Sequence, residues 1–297
     1  MITPPHNSLA VAPAAAEPVT RTQRVAFTVA LAIGSRAIHL RDRVLGRIPR
    51  LPASLPGLAL TPLVISSGRN QLDAVYAAPD NQPLRAAVLI CHGIGEVVAQ
   101  WVPIQQLLAA RGVASLVFDY SGYGRSTGHP SSAQLEQDAV AAFHGLRQFT
   151  AGPISLLGFS LGSGIVPVLL DRIPAHRLVL CASFTSFRAA ARSVGIPPFL
   201  SAFVPPIWDS AQPLHAASQP VLFVHSTGDR LFPLAMAREL AACSAPRARL
   251  QIVEGLRHNQ PFYTPTAAYW DPIADFLADP LGDPTPPTHL LPDPPAC

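Results

Sequence analysis

A serine stands at the centre of Gly158-Phe159-Ser160-Leu161-Gly162, a G-x-S-x-G pattern whose setting gives it chemical meaning. The apolar run Pro153-Ile154-Ser155-Leu156-Leu157 before it reads as a buried strand, and Ser163 to Arg172, rich in Ile, Val and Leu, reads as a helix. A strand that turns sharply into a helix lifts the central serine above the sheet, next to a helix N-terminus that favours developing negative charge. Side chains flanking so tight a turn would clash, and Gly158 and Gly162 avoid this. Ser160 is the candidate nucleophile for acyl transfer.

A nucleophilic serine needs a base, and the base needs an orienting acid. The downstream histidines are His176, His215, His225, His258 and His289. His258 stands out because it leaves the last strand-like run, Arg249 to Glu254, through the short loop Gly255-Leu256-Arg257. The preceding apolar strand, Val221-Leu222-Phe223-Val224-His225, exits through Ser226-Thr227-Gly228-Asp229, which makes Asp229 the expected acid. Ser160 to Asp229 is 69 residues and Asp229 to His258 is 29, room for strand–helix units between the loops. An oxyanion needs two backbone amides. Leu161 supplies one. The loop His92-Gly93-Ile94-Gly95, leaving the strand Ala86–Cys91, supplies the other, with Ile94 assigned, Gly95 as the alternative and Gly93 freeing the backbone.

These motifs together resemble the alpha/beta hydrolases of the serine aminopeptidase-like group, close in pattern to small single-domain esterases and protein depalmitoylase-like hydrolases. The resemblance rests on His92-Gly93, on Phe118-Asp119-Tyr120-Ser121-Gly122-Tyr123-Gly124-Arg125-Ser126, on the turn Gly158 to Gly162, on Gly228-Asp229 and on His258-Asn259. It covers roughly residues 60–279 and implies a triad met in the order Ser, Asp, His. One departure is His225-Ser226, where the family more often has His-Gly. Some members take the acid from the previous strand end, which makes Asp209 the rival to Asp229. The plain alternatives are a loop serine, a turn aspartate and a surface histidine, and the ordering of five motifs weighs against each. His92 and His225 read as structural, Asp119 as a strand cap, and Glu96 and Gln100 as pocket lining or the start of a helix.

Of 297 residues, 49% are hydrophobic, ample for one core. Net charge is +3, yet residues 1–50 carry seven arginines against Glu17 and Asp42, so the remainder is close to neutral. That excludes nucleic acid as the main partner. Cys91 and Cys181 fall on apolar runs, and no C-x-x-C pair marks a metal site. No cofactor is expected. The cysteine usage fits a cytoplasmic, reducing setting.

The chain divides into an extension (1–57), a hydrolase domain (58–280) and a Pro-rich tail (281–297). The first 20 residues are rich in Ala and Pro and read as disordered. Residues 21–48 combine arginines with an uncharged stretch from Val25 to Ser35, too short to span a bilayer. This segment reads either as a basic amphipathic helix on a membrane surface or as a helix packed on the body. The body alternates strands and helices, which predicts a mostly parallel sheet of about eight strands covered on both faces. Helices are expected near 101–111, 132–149, 161–172, 233–243 and 266–278. The pattern breaks between 183 and 218, where a small cap fits. The expected activity is hydrolysis of an ester, thioester or amide through an acyl-enzyme, with a small-molecule or lipid-like acyl substrate. The alternatives are a membrane-surface acyl-protein thioesterase, an aminopeptidase-like hydrolase, and a non-catalytic binding protein on the same fold.

Overall fold

The computed structural model describes residues 19–201 and 203–279. The stretch before residue 19 and the tail from 280, for which disorder is expected, lie outside the described residues.

Helix α1 (Arg21–Val44) opens the described chain. Thr20 accepts a hydrogen bond from the Gln23 amide while the Gln23 side chain accepts from the Thr20 amide, a reciprocal cap that starts the helix. A hairpin follows, β1 (Leu58–Ser67) and β2 (Asn70–Pro79), paired along their whole length. Pro62 is tolerated inside β1 because that strand is the sheet edge. The repeating units are then β3 (Ala86–Cys91), α2 (Val98–Ala109), β4 (Val113–Phe118), α3 (Ser132–Arg147), β5 (Ile154–Phe159), α4 (Leu161–Ile165) and β6 (Leu178–Cys181). Three short helices, α5 (Phe187–Ser193), α6 (Pro198–Ser201) and α7 (Ala211–Ala216), occupy the stretch read as a cap. The chain closes with β7 (Val221–Ser226), α8 (Leu234–Cys243), β8 (Ala248–Val253), α9 (Gln260–Tyr263) and α10 (Ala267–Ala278).

The strands form one eight-stranded sheet in the order β1-β2-β4-β3-β5-β6-β7-β8, antiparallel at the hairpin and parallel from β4 onward. Every residue of β4, β5, β6 and β7 is buried, as parallel strands sandwiched between helices require. One core cluster packs Leu89, Leu156 and Leu180 under α1, α3 and the cap. The other packs Ile90, Leu157 and Val179 against Trp101 and Trp270. Cys91 and Cys181 are fully buried, and burial pushes both thiols up to about 12.

One expected element differs. The helix read over 161–172 stops at Ile165 and continues only as a tight turn over Pro167–Leu169. Pro167 has no N–H to donate to the Ser163 carbonyl, so the α-helical ladder cannot pass it.

Helix α1 packs on the body through Phe27, Leu31, Ser35 and Asp42, one stripe along its length. Its 24 residues span about 36 Å. At one end Phe27 meets Phe187 and Trp208 edge-on, with ring centroids 4.8 and 5.4 Å apart. In the middle, the side chain of Ile38 and the carbonyl of Ser35 lie against Gly95. At the other end the buried Asp42 carboxylate accepts hydrogen bonds from Arg41, Gln100 and the Tyr263 hydroxyl. The helix thus crosses the loops that follow β3, β6 and β8. Its opposite face leaves Val25, Val29, Ile33, Leu40 and Val44 at least half exposed. No helix among the described residues is long and apolar enough to cross a membrane.

Candidate active site

Three loops at the carboxyl ends of β5, β7 and β8 bring Ser160, Asp229 and His258 together. The Ser160 hydroxyl lies 2.8 Å from Nε2 of His258, and Nδ1 of His258 lies 2.7 Å from Oδ2 of Asp229. An ionised carboxylate only accepts, so Nδ1 carries the proton and Nε2 is left to accept from the serine. All three side chains are buried. Burial works to raise the Asp229 carboxyl. Hydrogen bonds from His258 and from the Phe232 and Leu231 amides outweigh it and hold the group below the usual carboxylate range. The imidazole of His258 meets Phe232 edge-on at 5.0 Å and lies 6.0 Å from Phe159, which limits its rotation.

The serine turn is strained in the way its sequence implies. Ser160 has φ 51° and ψ −113°, a conformation that non-glycine residues rarely adopt. A Cβ on Gly158 would collide with the Gly162 carbonyl, and one on Gly162 would collide with the Cys91 carbonyl. The second glycine therefore lets α4 approach β3, which brings the Leu161 amide towards the loop His92–Gly95. As the first helical residue after Ser160, Leu161 has no intrahelical acceptor for its N–H. Among the described residues the Ile94 amide has no protein acceptor either. The Gly93 amide is differently placed, donating to Oε2 of Glu96 at 2.8 Å.

That Glu96 contact is a part of the site that sequence reasoning left unresolved. The carboxyl is buried, accepts from Gly93 and from the Trp101 indole at 3.0 Å, and fills the space where a Cβ on Gly93 would sit. Burial pushes it up to about 8 against the pull of those two hydrogen bonds. Glu96 thus clamps the loop from behind. Gln100 sits in α2 and bonds Asp42 of α1. Nothing in the spacing of these residues signals either contact.

The remaining candidates stand outside the relay, although Nε2 of His225 lies 3.8 Å from Oδ2 of Asp229. His92 is fully buried, donates from Nδ1 to the Gly93 carbonyl at 2.8 Å, and is kept neutral by burial, which lowers it to about 4. His225 donates from Nε2 to the Phe232 carbonyl at 2.9 Å, and burial again favours its neutral form. Asp119 accepts from the Val98 amide at 2.8 Å and so tethers the start of α2. Asp209 accepts from the Ala211 amide at the start of α7, with no contact to His258.

Residues 82–213 match the family of serine aminopeptidases S33. The uncharacterized protein Rv2307c of Mycobacterium tuberculosis is 30% identical over 197 residues, covering 65% of this chain and 70% of that protein. The lysophosphatidylserine lipase ABHD12 of Rattus norvegicus is 27% identical over 202 residues, 61% of this chain and 50% of the lipase. The chain therefore spans about half the length of that lipase. Among solved structures, the esterase PF2001 of Pyrococcus furiosus superposes with a TM-score of 0.60 at 17% identity, covering 77% of this chain and 96% of that one. Est1E of Butyrivibrio proteoclasticus, with ferulic acid bound, superposes with a TM-score of 0.62 at 18% identity, covering 74% and 100%. These two show the fold alone. Sheet order, matched family and relatives agree: the chain belongs to the alpha/beta hydrolases, in their serine aminopeptidase-like group.

Proposed function

We propose that the protein is a serine hydrolase that cleaves carboxylic esters through an acyl-enzyme. The observation that carries this reading is the relay of 2.8 and 2.7 Å from Ser160 through His258 to Asp229. Ser160 Oγ attacks the acyl carbon while His258 Nε2 takes its proton, and Asp229 stabilises the resulting imidazolium. The carbonyl oxygen, now an oxyanion, is held by the amides of Leu161 and Ile94, each worth on the order of 10²–10³ in rate. The C–O bond then breaks, and His258 returns the proton to the leaving alcohol. Water, activated by the same imidazole, releases the acid. The chemistry needs no cofactor. The test is labelling by a fluorophosphonate, followed by a chain-length series of p-nitrophenyl esters. Labelling of the wild type, lost in Ser160→Ala, is the expected result. A folded wild type that neither labels nor turns over any ester would favour a binding role on the same fold.

A second reading concerns where the substrate lies. The outer face of α1 presents Val25, Val29, Ile33, Leu40 and Val44, with Arg24, Arg36 and Arg43 also exposed on the helix. The cap it touches adds Phe199 and Phe203, both more than half exposed. Apolar side chains beside arginines suit an anionic lipid surface. The name of the rat relative points to lipid esters as well. On this reading the enzyme takes its ester from a membrane surface without crossing it.

A further inference from the structure

A groove of about 610 Å³ opens beside His258, and its lining includes Arg47, Arg230, Arg257, Gln260 and Tyr263 but no acidic residue. Two of the arginines are tied to the triad loops by their place in the chain. Arg230 follows Asp229 directly and Arg257 precedes His258 directly, so the loops that carry Asp229 and His258 also bring both arginines to the groove. Neither has an ion-pair partner among the described residues, whereas Arg111 and Arg125 pair with Asp271 and Asp73. Arg47 comes from the turn after α1. Its guanidinium sits over the Tyr263 ring, 4.7 Å from the centroid, and 3.8 Å from Asp42, which Arg41 already holds at 2.9 Å.

Position gives this charge a use. If His258 donates a proton to the departing oxygen, the surface that adjoins His258 receives the alcohol side of the ester. Three arginines line this surface, and two of them, Arg230 and Arg257, have no carboxylate to neutralise them, which creates a field for an anion. Their planar forks match phosphate oxygens in pairs. We infer that this groove is a leaving-group subsite that selects esters whose alcohol carries a phosphate. The inference rests on the acyl-enzyme reading above and deepens it. The reaction stays balanced: the acyl C–O bond breaks, the acyl group passes to Ser160 and then to water, and the phosphorylated alcohol leaves with the proton from His258. The phosphate itself is untouched.

The experiment compares kcat/KM for two esters with the same short acyl chain, one of glycerol and one of glycerol 3-phosphate. It uses the full chain and its variants Arg230→Gln, Arg257→Gln and the double variant. The expected result is a wild-type ratio favouring the phosphate ester. That ratio should fall by roughly tenfold for each arginine removed, the scale of one charge-assisted hydrogen bond. It should also shrink as salt rises. A wild type that does not turn over the phosphate ester in either presentation, or a ratio unchanged within twofold in the double variant for both the monomeric and the vesicle pair, overturns the subsite. A long-chain pair presented in vesicles, run alongside, tells the sources apart. A ratio that falls only there assigns a lipid headgroup, and one that falls for the monomeric pair assigns a soluble phosphate ester. Ser160→Ala is the separate control. If it still hydrolyses the glycerol ester, the acyl-enzyme reading fails, and the subsite fails with it.

Discussion

The Asp42 carboxylate and the Tyr263 hydroxyl meet at 2.6 Å across 221 residues of chain. One belongs to α1. The other ends α9, the short helix that begins two residues after His258. The same hydroxyl accepts from Arg41 at 2.6 Å, so a charged cluster around the buried Asp42 joins the first helix to the segment that follows His258.

Removing that hydroxyl isolates its worth. Tyr263→Phe should destabilise the protein by about 1.5–3 kcal/mol, the range for a hydrogen bond to a charged group. Urea unfolding measures it. Asp42→Asn in the Tyr263→Phe background should cost less than Asp42→Asn alone, because the two changes remove one shared contact.

The serine turn predicts a steric failure. In Gly162→Ala the new methyl meets the Cys91 carbonyl, which belongs to a strand buried from Ala87 to Cys91 and cannot move aside. We expect a loss of about 1–3 kcal/mol in stability. A fall in kcat beyond what the unfolded fraction explains should accompany it, because the Leu161 amide shifts with the turn. Thermal unfolding and active-site titration on the same sample separate the two effects.

Glu96 gives the fold a pH dependence of defined sign. Its carboxyl stands at about 8 when folded against an ordinary 4.5. Between those values the folded state binds the extra proton, so this group's contribution to stability is full below about 4.5 and is lost as pH rises towards about 8. Asp119, also pushed up to about 8 by burial, contributes in the same direction. Glu96→Gln should therefore show a shallower decline in unfolding free energy across this range than the wild type. Parallel slopes for the two proteins would refute the assignment.

The outer face of α1 predicts binding without insertion. Val29→Gln with Ile33→Gln should reduce sedimentation with anionic vesicles while leaving circular dichroism and p-nitrophenyl ester turnover as in the wild type. Deleting the helix is a poorer test, since Phe27, Leu31 and Asp42 are buried against the body and their loss would expose the core. Equal sedimentation of the two proteins would remove the lipid-surface reading.

The sheet was legible because β3 to β7 are short, almost wholly apolar runs, and a strand buried on both faces leaves that signature whatever its neighbours. Ser160, Asp229 and His258 were legible for a related reason. Ser160 and Asp229 follow such runs within a few residues, His258 follows the partly exposed β8, and parallel strands deliver their ends to one edge. The docking of α1 was not. Its apolar residues lie on two faces, so periodicity alone serves a helix on the body and a helix on a membrane equally well. Phe27 finds Phe187 and Trp208 only through the folded cap. The early end of α4 was readable in Pro167 but was masked by the aliphatic residues around it. Glu96 was hidden because a carboxyl just before a helix is ordinarily a solvated residue, and only the folded loop wraps Gly93 around it.

The seat of α1 also sets an order of assembly at the ribosome. At roughly 5–20 residues per second, the 221 residues between Asp42 and Tyr263 take on the order of 10–40 s to emerge. Throughout that interval the first helix has been made but its last anchor has not. It waits with Phe27 and Leu31 uncovered, and it can settle only after the sheet, the cap and the segment that follows His258 are in place. The helix is therefore made long before it can find its seat, and the His92–Gly95 loop beneath it is closed over only after Tyr263 has emerged.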